Sequence, residues 1–230
     1  TPIGTLKCPA GPPWPSWGGT ATPFSMSVDR QAKAWVLYTS GEIFWVDTKT
    51  AACIKSPFAK GQQGFELFGM GFVSDAAGSS SEHLFVFGGA TDALEKGKLA
   101  SVDPSTLKLS PIGSLALKDQ SPELTGTGNA KLFGFFPAGA QSSVAEIDKQ
   151  TGALKQSWPV PLSGQVEAWA FAHWGGRFYL FATVAEGLFG ETNSQVLRLD
   201  PKTGKVDKVK EKLPYRIVGA GVSTCAPTIN

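Results

Sequence analysis

Apolar residues in this chain fall in short runs rather than at helical spacing. Four runs, Trp35-Val36-Leu37-Tyr38, Leu84-Phe85-Val86-Phe87, Leu132-Phe133-Gly134-Phe135-Phe136 and Phe178-Tyr179-Leu180-Phe181, are almost continuously apolar. A strand wetted on one face alternates apolar with polar residues, so runs without alternation predict strands covered on both faces. After each run comes a strand-like stretch that ends in Asp and breaks into a turn: Val46-Asp47-Thr48-Lys49-Thr50, Val102-Asp103-Pro104-Ser105-Thr106, Ile147-Asp148-Lys149-Gln150-Thr151-Gly152 and Leu199-Asp200-Pro201-Lys202-Thr203-Gly204. Asp bonds forward to turn N–H groups, Pro presets φ and Gly takes positive φ, so all four sites predict hairpin turns.

A third feature precedes each apolar run: two small residues spaced by two. The pairs are Ser25 and Ser27, Gly69 and Gly71, Gly126 and Gly128, and Ala170 and Ala172, with a fifth at Gly219 and Gly221. Positions i and i+2 of a strand share a face, so each pair strips one face of bulk. The first members, at 25, 69, 126, 170 and 219, are separated by 44, 57, 44 and 49 residues. The longer interval holds insertions at 76–82 and 88–97.

A unit of about 45 residues containing a stripped strand, a doubly buried strand and a hairpin ending in a fourth strand describes a blade of a β-propeller. The stripped strands are the innermost ones, where blades converge on the axis and lateral room is short. The fold class predicted is all-β: a small β-propeller of four complete four-stranded blades plus a closing or composite fifth element formed by the termini. A single domain over 1–230 is expected, with blades at about 23–60, 64–115, 121–162 and 165–213. A closing strand at about 215–224 would pair with the N-terminal segment 1–22, because Arg216 to Ser223 has no downstream strand of its own and propellers hide their edges by closure.

The strand, Asp, turn and Thr-Gly signature resembles that of secreted bacterial β-propeller repeat proteins, and the resemblance covers most of the chain. Members of that class include binders, scaffolds and enzymes, so it implies architecture and no single activity.

Composition narrows the partners. Lys and Arg total 21 against 19 Asp and Glu, and the net charge of +2 supplies no field to recruit a polyanion, which argues against nucleic acid. The 27 Gly and 16 Pro suit many strands joined by tight turns. The best helical window, Thr91 to Lys98, is only about two turns long and reads as a loop. No apolar stretch approaches the roughly 20 residues of a membrane helix, and no charged n-region precedes an apolar h-region. The sequence therefore reads as a processed segment without membrane insertion, in a secreted, periplasmic or cell-surface setting. Cys8, Cys53 and Cys225 lack C-x-x-C spacing and an adjacent His, which argues against zinc and dithiol redox chemistry. One disulfide and one free thiol follow in an oxidising compartment. Of three pairings, Cys8 with Cys225 is the candidate, since it would tie the termini together.

Candidate chemistry gathers where the stripped strands begin. Glu66, Glu123 and Glu167 each stand three residues before a small pair, Arg216 holds the same place in the fifth copy and Thr22 in the first. On a propeller these residues would form a partial ring at one channel mouth, suited to a cation, a sugar or a ligand amine. The bland reading is that each Glu opens a strand in solvent or pairs locally.

Of seven tryptophans, Trp35, Trp45 and Trp169 fall in strand patterns and read as core. Trp14 and Trp17 lie in the Pro-rich stretch 12–19, a cap or a binding surface. Trp174, before Gly175-Gly176, reads as an exposed aromatic at a hairpin turn and joins the candidate ligand-binding set.

Two histidines, His83 and His173, are too few for a His-rich metal site, and no Gly-x-Ser-x-Gly elbow accompanies them. His173 reads as a turn residue rather than a general base. No phosphate-cradling Gly-rich loop, dinucleotide fingerprint or Asp-rich calcium loop appears, so no cofactor and no metal is expected. Glu123 with Glu167 is the pair to consider for carboxylate-run glycoside hydrolysis.

A well-marked repeat without a catalytic constellation points to an extracytoplasmic binding or scaffolding module recognising a protein or carbohydrate through its loop faces. The alternatives are a propeller hydrolase or lyase working with carboxylates at the channel mouth, and a structural domain of a larger surface assembly.

Overall fold

The computed structural model describes residues 2–15, 18–89, 97–114, 122–186 and 191–229, which hold sixteen strands. They form four antiparallel sheets of four strands, each in chain order, arranged as a four-bladed β-propeller. Blade 1 comprises β1 (Pro23–Val28), β2 (Lys33–Tyr38), β3 (Ile43–Asp47) and β4 (Cys53–Lys55). Blade 2 comprises β5 (Leu67–Ser74), β6 (Glu82–Gly89), β7 (Lys98–Val102) and β8 (Leu109–Ser114). Blade 3 comprises β9 (Glu123–Gly126), β10 (Leu132–Phe136), β11 (Ser143–Ile147) and β12 (Leu154–Pro159). Blade 4 comprises β13 (Gln165–Trp174), β14 (Arg177–Glu186), β15 (Glu191–Leu199) and β16 (Val206–Lys210).

The four apolar runs lie on the second strands β2, β6, β10 and β14, and their two faces serve two different neighbours. Trp35, Leu37 and Ile43 of blade 1 pack with Phe68, Met70 and Val86 of blade 2. Phe85 and Phe87 of blade 2 turn the other way, onto Phe136 and Ile147 of blade 3. Phe133 and Phe135 then meet Phe171, Phe178 and Leu180 of blade 4. Alternate residues feeding opposite interfaces is why these strands show no apolar–polar alternation.

Each Asp turn joins the third and fourth strands. Asp47 Oδ1 accepts the N–H groups of Lys49 and Thr50 at 2.8 Å, and Asp148 Oδ1 accepts those of Gln150 and Thr151 at 2.9 and 3.0 Å. Asp103 binds Ser105 and Thr106 in the same way, and Asp200 binds Lys202. The residue four beyond each Asp sits in the left-handed region: Ala51 (φ 60), Leu107 (φ 59), Gly152 (φ 80) and Gly204 (φ 72).

Small residues on β1, β5, β9 and β13 do what the axis requires. A Cβ at Gly69 would meet the Pro122 carbonyl at 2.0 Å, and one at Gly71 would meet backbone of 124–125 at 3.0 Å, so backbone of β9 lies directly against β5. Each inner strand is the edge of its sheet, with one row of backbone N–H groups that its own ladder leaves unpaired. Ser25 and Ser27 answer part of that need: their hydroxyl oxygens accept the N–H groups of Met70 and Phe72 at 3.2 and 3.0 Å.

The termini depart from expectation. Among the described residues no fifth sheet is present, and none of those in 215–224 or 1–22 lies in a strand. The C-terminal segment nevertheless runs between blades 4 and 1. Arg216 donates to the Glu167 carbonyl and Gly175 donates its N–H to the Pro227 carbonyl at 2.8 Å, on blade 4. A Cβ at Gly219 or Gly221 would approach Met26 at 3.0 Å or Ser27 at 2.8 Å, on blade 1. The fifth small pair thus allows a close approach without joining a ladder.

The N-terminal segment goes elsewhere. Leu6, Cys8, Ala10 and Ala21 cover the face of blade 1 formed by Ala34, Val36, Tyr38 and Phe44. Cys8 is bonded to Cys53 on β4, with Cα atoms 5.3 Å apart, and Cys225 is exposed and free. The expected Cys8–Cys225 pairing is therefore corrected. Residues 8–14 lie on blade 1, fixed by the Gly11 N–H to Glu42 (2.7 Å) and the Trp14 N–H to the Thr39 carbonyl (2.9 Å), whereas Cys225 follows the inner strands.

Candidate functional site at the channel mouth

The strand starts of blades 1, 3 and 4 and the C-terminal segment surround an open pocket of about 430 Å³. Thr22, Pro23 and Phe24 enter from the start of β1, Thr39 from the β2–β3 hairpin, Glu123 from the first position of β9, and Glu167, Ala168 and Trp169 from β13. Arg216 and Val218 line the remaining side. Three of the sequence-derived candidates, Glu123, Glu167 and Arg216, therefore face one cavity.

Their environments differ sharply. Glu123 is buried, 3% exposed, and its Oε2 accepts the Ser25 hydroxyl at 2.8 Å. Ser25 in turn accepts the Met70 N–H, so a chain of hydrogen bonds crosses the inner strands of blades 1, 2 and 3. Burial disfavours the charged form and holds the Glu123 carboxyl well above the ordinary carboxylate range, only partly offset by Ser25 and Met70. Glu167 and Arg216 are exposed. The Arg216 guanidinium donates to the main-chain carbonyl of Glu167, and no carboxylate among the described residues lies within ion-pair distance of it.

The other two candidates lie apart. Glu66 immediately precedes β5 and does not line the pocket; its carbonyl accepts the Trp14 indole N–H at 3.3 Å. Trp14 itself packs over Gly41 with the Lys60 ammonium 5.0 Å from its ring, which places this tryptophan against blades 1 and 2. Trp17 and most of the 91–98 window lie outside the described residues. Trp174 is exposed, but it ends β13 seven residues from Glu167, roughly 23 Å along an extended strand. It belongs to the opposite mouth.

Trp169 was expected in the core and instead is half-buried, part against the blade 3–4 cluster and part at the pocket wall. The β13 register shifts between Val166 and Ala168, so the simple alternation of a strand breaks there, and Glu167, Ala168 and Trp169 all reach the pocket. Trp35 is core as expected, with its indole N–H donated to Asp29 at 2.9 Å. His173 lies in β13 rather than in a turn, buried and stacked on Phe133, and burial lowers its pKa to about 4.

A second polar group at the far mouth had no sequence signature. Glu82 opens β6, inside what read as an insertion, and is buried. It accepts the Arg30 N–H and the Thr224 hydroxyl, both at 2.7 Å, and the Arg30 guanidinium donates to Thr224 at 3.0 Å. Blades 1 and 2 and the C-terminal segment are clasped there. No group of three metal-ligating side chains occurs among the described residues, and none of their helices is long and apolar enough to cross a membrane.

The sequence matches no protein-family model and no curated protein. Among solved structures the chain is similar to the tricorn protease, at 16% identity and a TM-score of 0.48, over 84% of this chain and 23% of that one. It is also similar to Kuenenia stuttgartiensis hydrazine synthase, at 10% identity and a TM-score of 0.49, over 81% of this chain and 65% of that one. The chain thus spans less than two thirds of either protein.

Proposed function

We propose that the protein is an extracytoplasmic binding module and that the channel-mouth pocket is its ligand seat, with a glycan as the favoured ligand class. One observation carries this reading: an open cavity of about 430 Å³ has two aromatic side chains, Phe24 and Trp169, beside convergent polar groups, Glu123, Glu167 and Arg216. Binding pockets for small ligands combine an apolar wall with a few placed polar groups, and this volume falls within their usual range. The Cys8–Cys53 disulfide supports an oxidising location. The test is a glycan array followed by calorimetry on the best binders, with Trp169→Ala as the probe of the seat. Binding that is lost in Trp169→Ala supports the reading; no glycan bound, or binding indifferent to Trp169→Ala, overturns it.

A hydrolase or lyase at the same mouth has one observation in its favour. Burial keeps the Glu123 carboxyl protonated beyond the usual range, the state a general acid needs, while Glu167 lines the same pocket. Release of p-nitrophenol from a panel of p-nitrophenyl glycosides, abolished in Glu123→Gln, would establish that activity; absence of turnover across the panel would remove it.

A further inference from the structure

We infer that the mouth pocket selects a carboxylated sugar, seating the ring between Phe24 and Trp169 and taking the carboxylate on Arg216. The inference rests on the glycan-binding reading above and adds the chemical class of the ligand. Three properties of the pocket lead to it.

The first is the state of Arg216. A guanidinium offers five N–H donors, and here the donation found among described residues goes to a neutral main-chain carbonyl, that of Glu167. A carbonyl does not neutralise the cation, so the guanidinium itself stays charged with donors to spare. A planar fork of this kind matches a carboxylate bidentately, with stronger and more directional bonds than a neutral hydroxyl gives.

The second is that the acidic side chains do not cancel that charge in the way their number suggests. Glu123 is buried and tied to Ser25, and burial opposes its ionisation, so it presents hydrogen-bonding capacity more than negative charge. Glu167 is exposed, as Arg216 is, so solvent screens both charges alike, and a carboxylate there accepts hydroxyl donors well. Together the two suit a ligand that carries several hydroxyl groups as well as an anionic group. A simple aromatic acid would leave them unused.

The third is shape. Phe24 and Trp169 line the cavity from different blades, on β1 and β13. The cavity is open to solvent, and Glu123 is the buried member of its polar lining. A terminal ring entering end-on fits this better than an internal residue of a long polymer.

The test is calorimetric titration of the intact protein with glucuronate, glucose and benzoate at equal ionic strength, repeated with Arg216→Met, Arg216→Lys and, as a control at the far side of blade 4, Arg177→Met. Circular dichroism melting establishes that each variant is folded. The expected result is glucuronate bound at least tenfold more tightly than glucose and than benzoate. The preference over glucose should vanish in Arg216→Met, persist in part in Arg216→Lys and be unchanged in Arg177→Met. Glucose and glucuronate bound equally, with both lost in Trp169→Ala, would overturn the carboxylate preference and leave the binding reading standing. A glucuronate preference that survives Arg216→Met would overturn the role of Arg216. Neither sugar bound at millimolar concentration, with no array hits, would overturn both.

Discussion

The Thr224 hydroxyl donates to the Glu82 carboxylate at 2.7 Å, joining residues 142 positions apart in the chain. Through it the C-terminal segment is fastened to β6, and Arg30 closes the triangle by donating its N–H to Glu82 and its guanidinium to Thr224. Thr224→Val keeps the shape and removes both bonds, leaving a buried carboxyl short of a donor. We expect a loss of about 1–3 kcal/mol, read as a fall of roughly 2–4 °C in Tm for each kcal/mol. Thr224→Ser should retain most of the stability, and a Tm in Thr224→Val equal to that of the parent would deny the clasp any energetic role.

Buried carboxyls make the folded protein sensitive to rising pH. Burial raises the pKa of Glu123 and of Glu82 above the ordinary value of 4.5. In the unfolded chain both release their protons near that value. Above it the native state holds more protons, so stability falls as pH rises from about 4.5 through the raised pKa values. Glu123→Gln mimics the neutral form and removes its share. Chemical denaturation between pH 5 and 9 should show a shallower decline in the variant than in the parent, with the gap opening above about pH 4.5 and levelling off once the raised pKa of Glu123 is passed.

His173 acts on the acid side. Its pKa is lowered from 6.5 to about 4 by burial against Phe133 and Phe178. Between those values the unfolded chain takes up a proton that the native state refuses, so stability drops as pH falls from 6.5 to about 4, by about 3 kcal/mol in all. His173→Phe should be more stable than the parent at pH 4.5 and close to it at pH 7.5. A parallel pH dependence in the two proteins would mean that His173 is not held neutral.

Thiol chemistry separates the two cysteine classes. Without reductant one thiol per chain, Cys225, should react with a thiol reagent in the native protein, and three should react after reduction and unfolding. The disulfide spans 45 positions; on the chain-entropy account, breaking it costs about 4 kcal/mol. Cys8→Ser with Cys53→Ser should lower Tm accordingly, whereas Cys225→Ser should leave it unchanged.

The repeated turns allow substitutions of opposite sign at equivalent positions. Ala51 adopts a left-handed conformation at φ 60 that glycine adopts without strain, so Ala51→Gly should stabilise by roughly 0.5–1 kcal/mol. Gly204, at φ 72 with open space where a Cβ would stand, should lose about 1 kcal/mol as Gly204→Ala, entirely through its backbone. Equilibrium denaturation of both variants compares the two turns directly.

Much of the fold was legible because its markers are local. Asp47, Asp103, Asp148 and Asp200 each organise a turn using the next few residues, and the apolar runs declare both faces within one strand. The small pairs at 69–71 and 126 mark the axis because backbone of the neighbouring blade occupies the space of their missing side chains. What escaped is relational. The Cys8–Cys53 pairing depends on the course of residues 8–14 over blade 1, which Glu42 fixes from an otherwise unremarkable hairpin. Trp169 was assigned to the core because a strand pattern does not say which end of a strand reaches a mouth. Glu82 and Thr224 have no shared motif, and only the closed ring brings them together. Glu123, Glu167 and Arg216 converge on one pocket from their common place before a small pair, while Glu66, with the same spacing, does not line it and offers its main-chain carbonyl to the Trp14 indole.

The passage of residues 216–227 between blades 4 and 1 has a bearing on how the molecule is made. Each sheet is a meander whose strands pair with chain neighbours, so a blade can assemble as soon as its own residues have left the ribosome. The seam cannot, because one side of it is supplied by a stretch translated after every blade. Four finished blades therefore leave the seam between the first and last inner strands to be filled by residues 216–227, the last part of the ring to arrive.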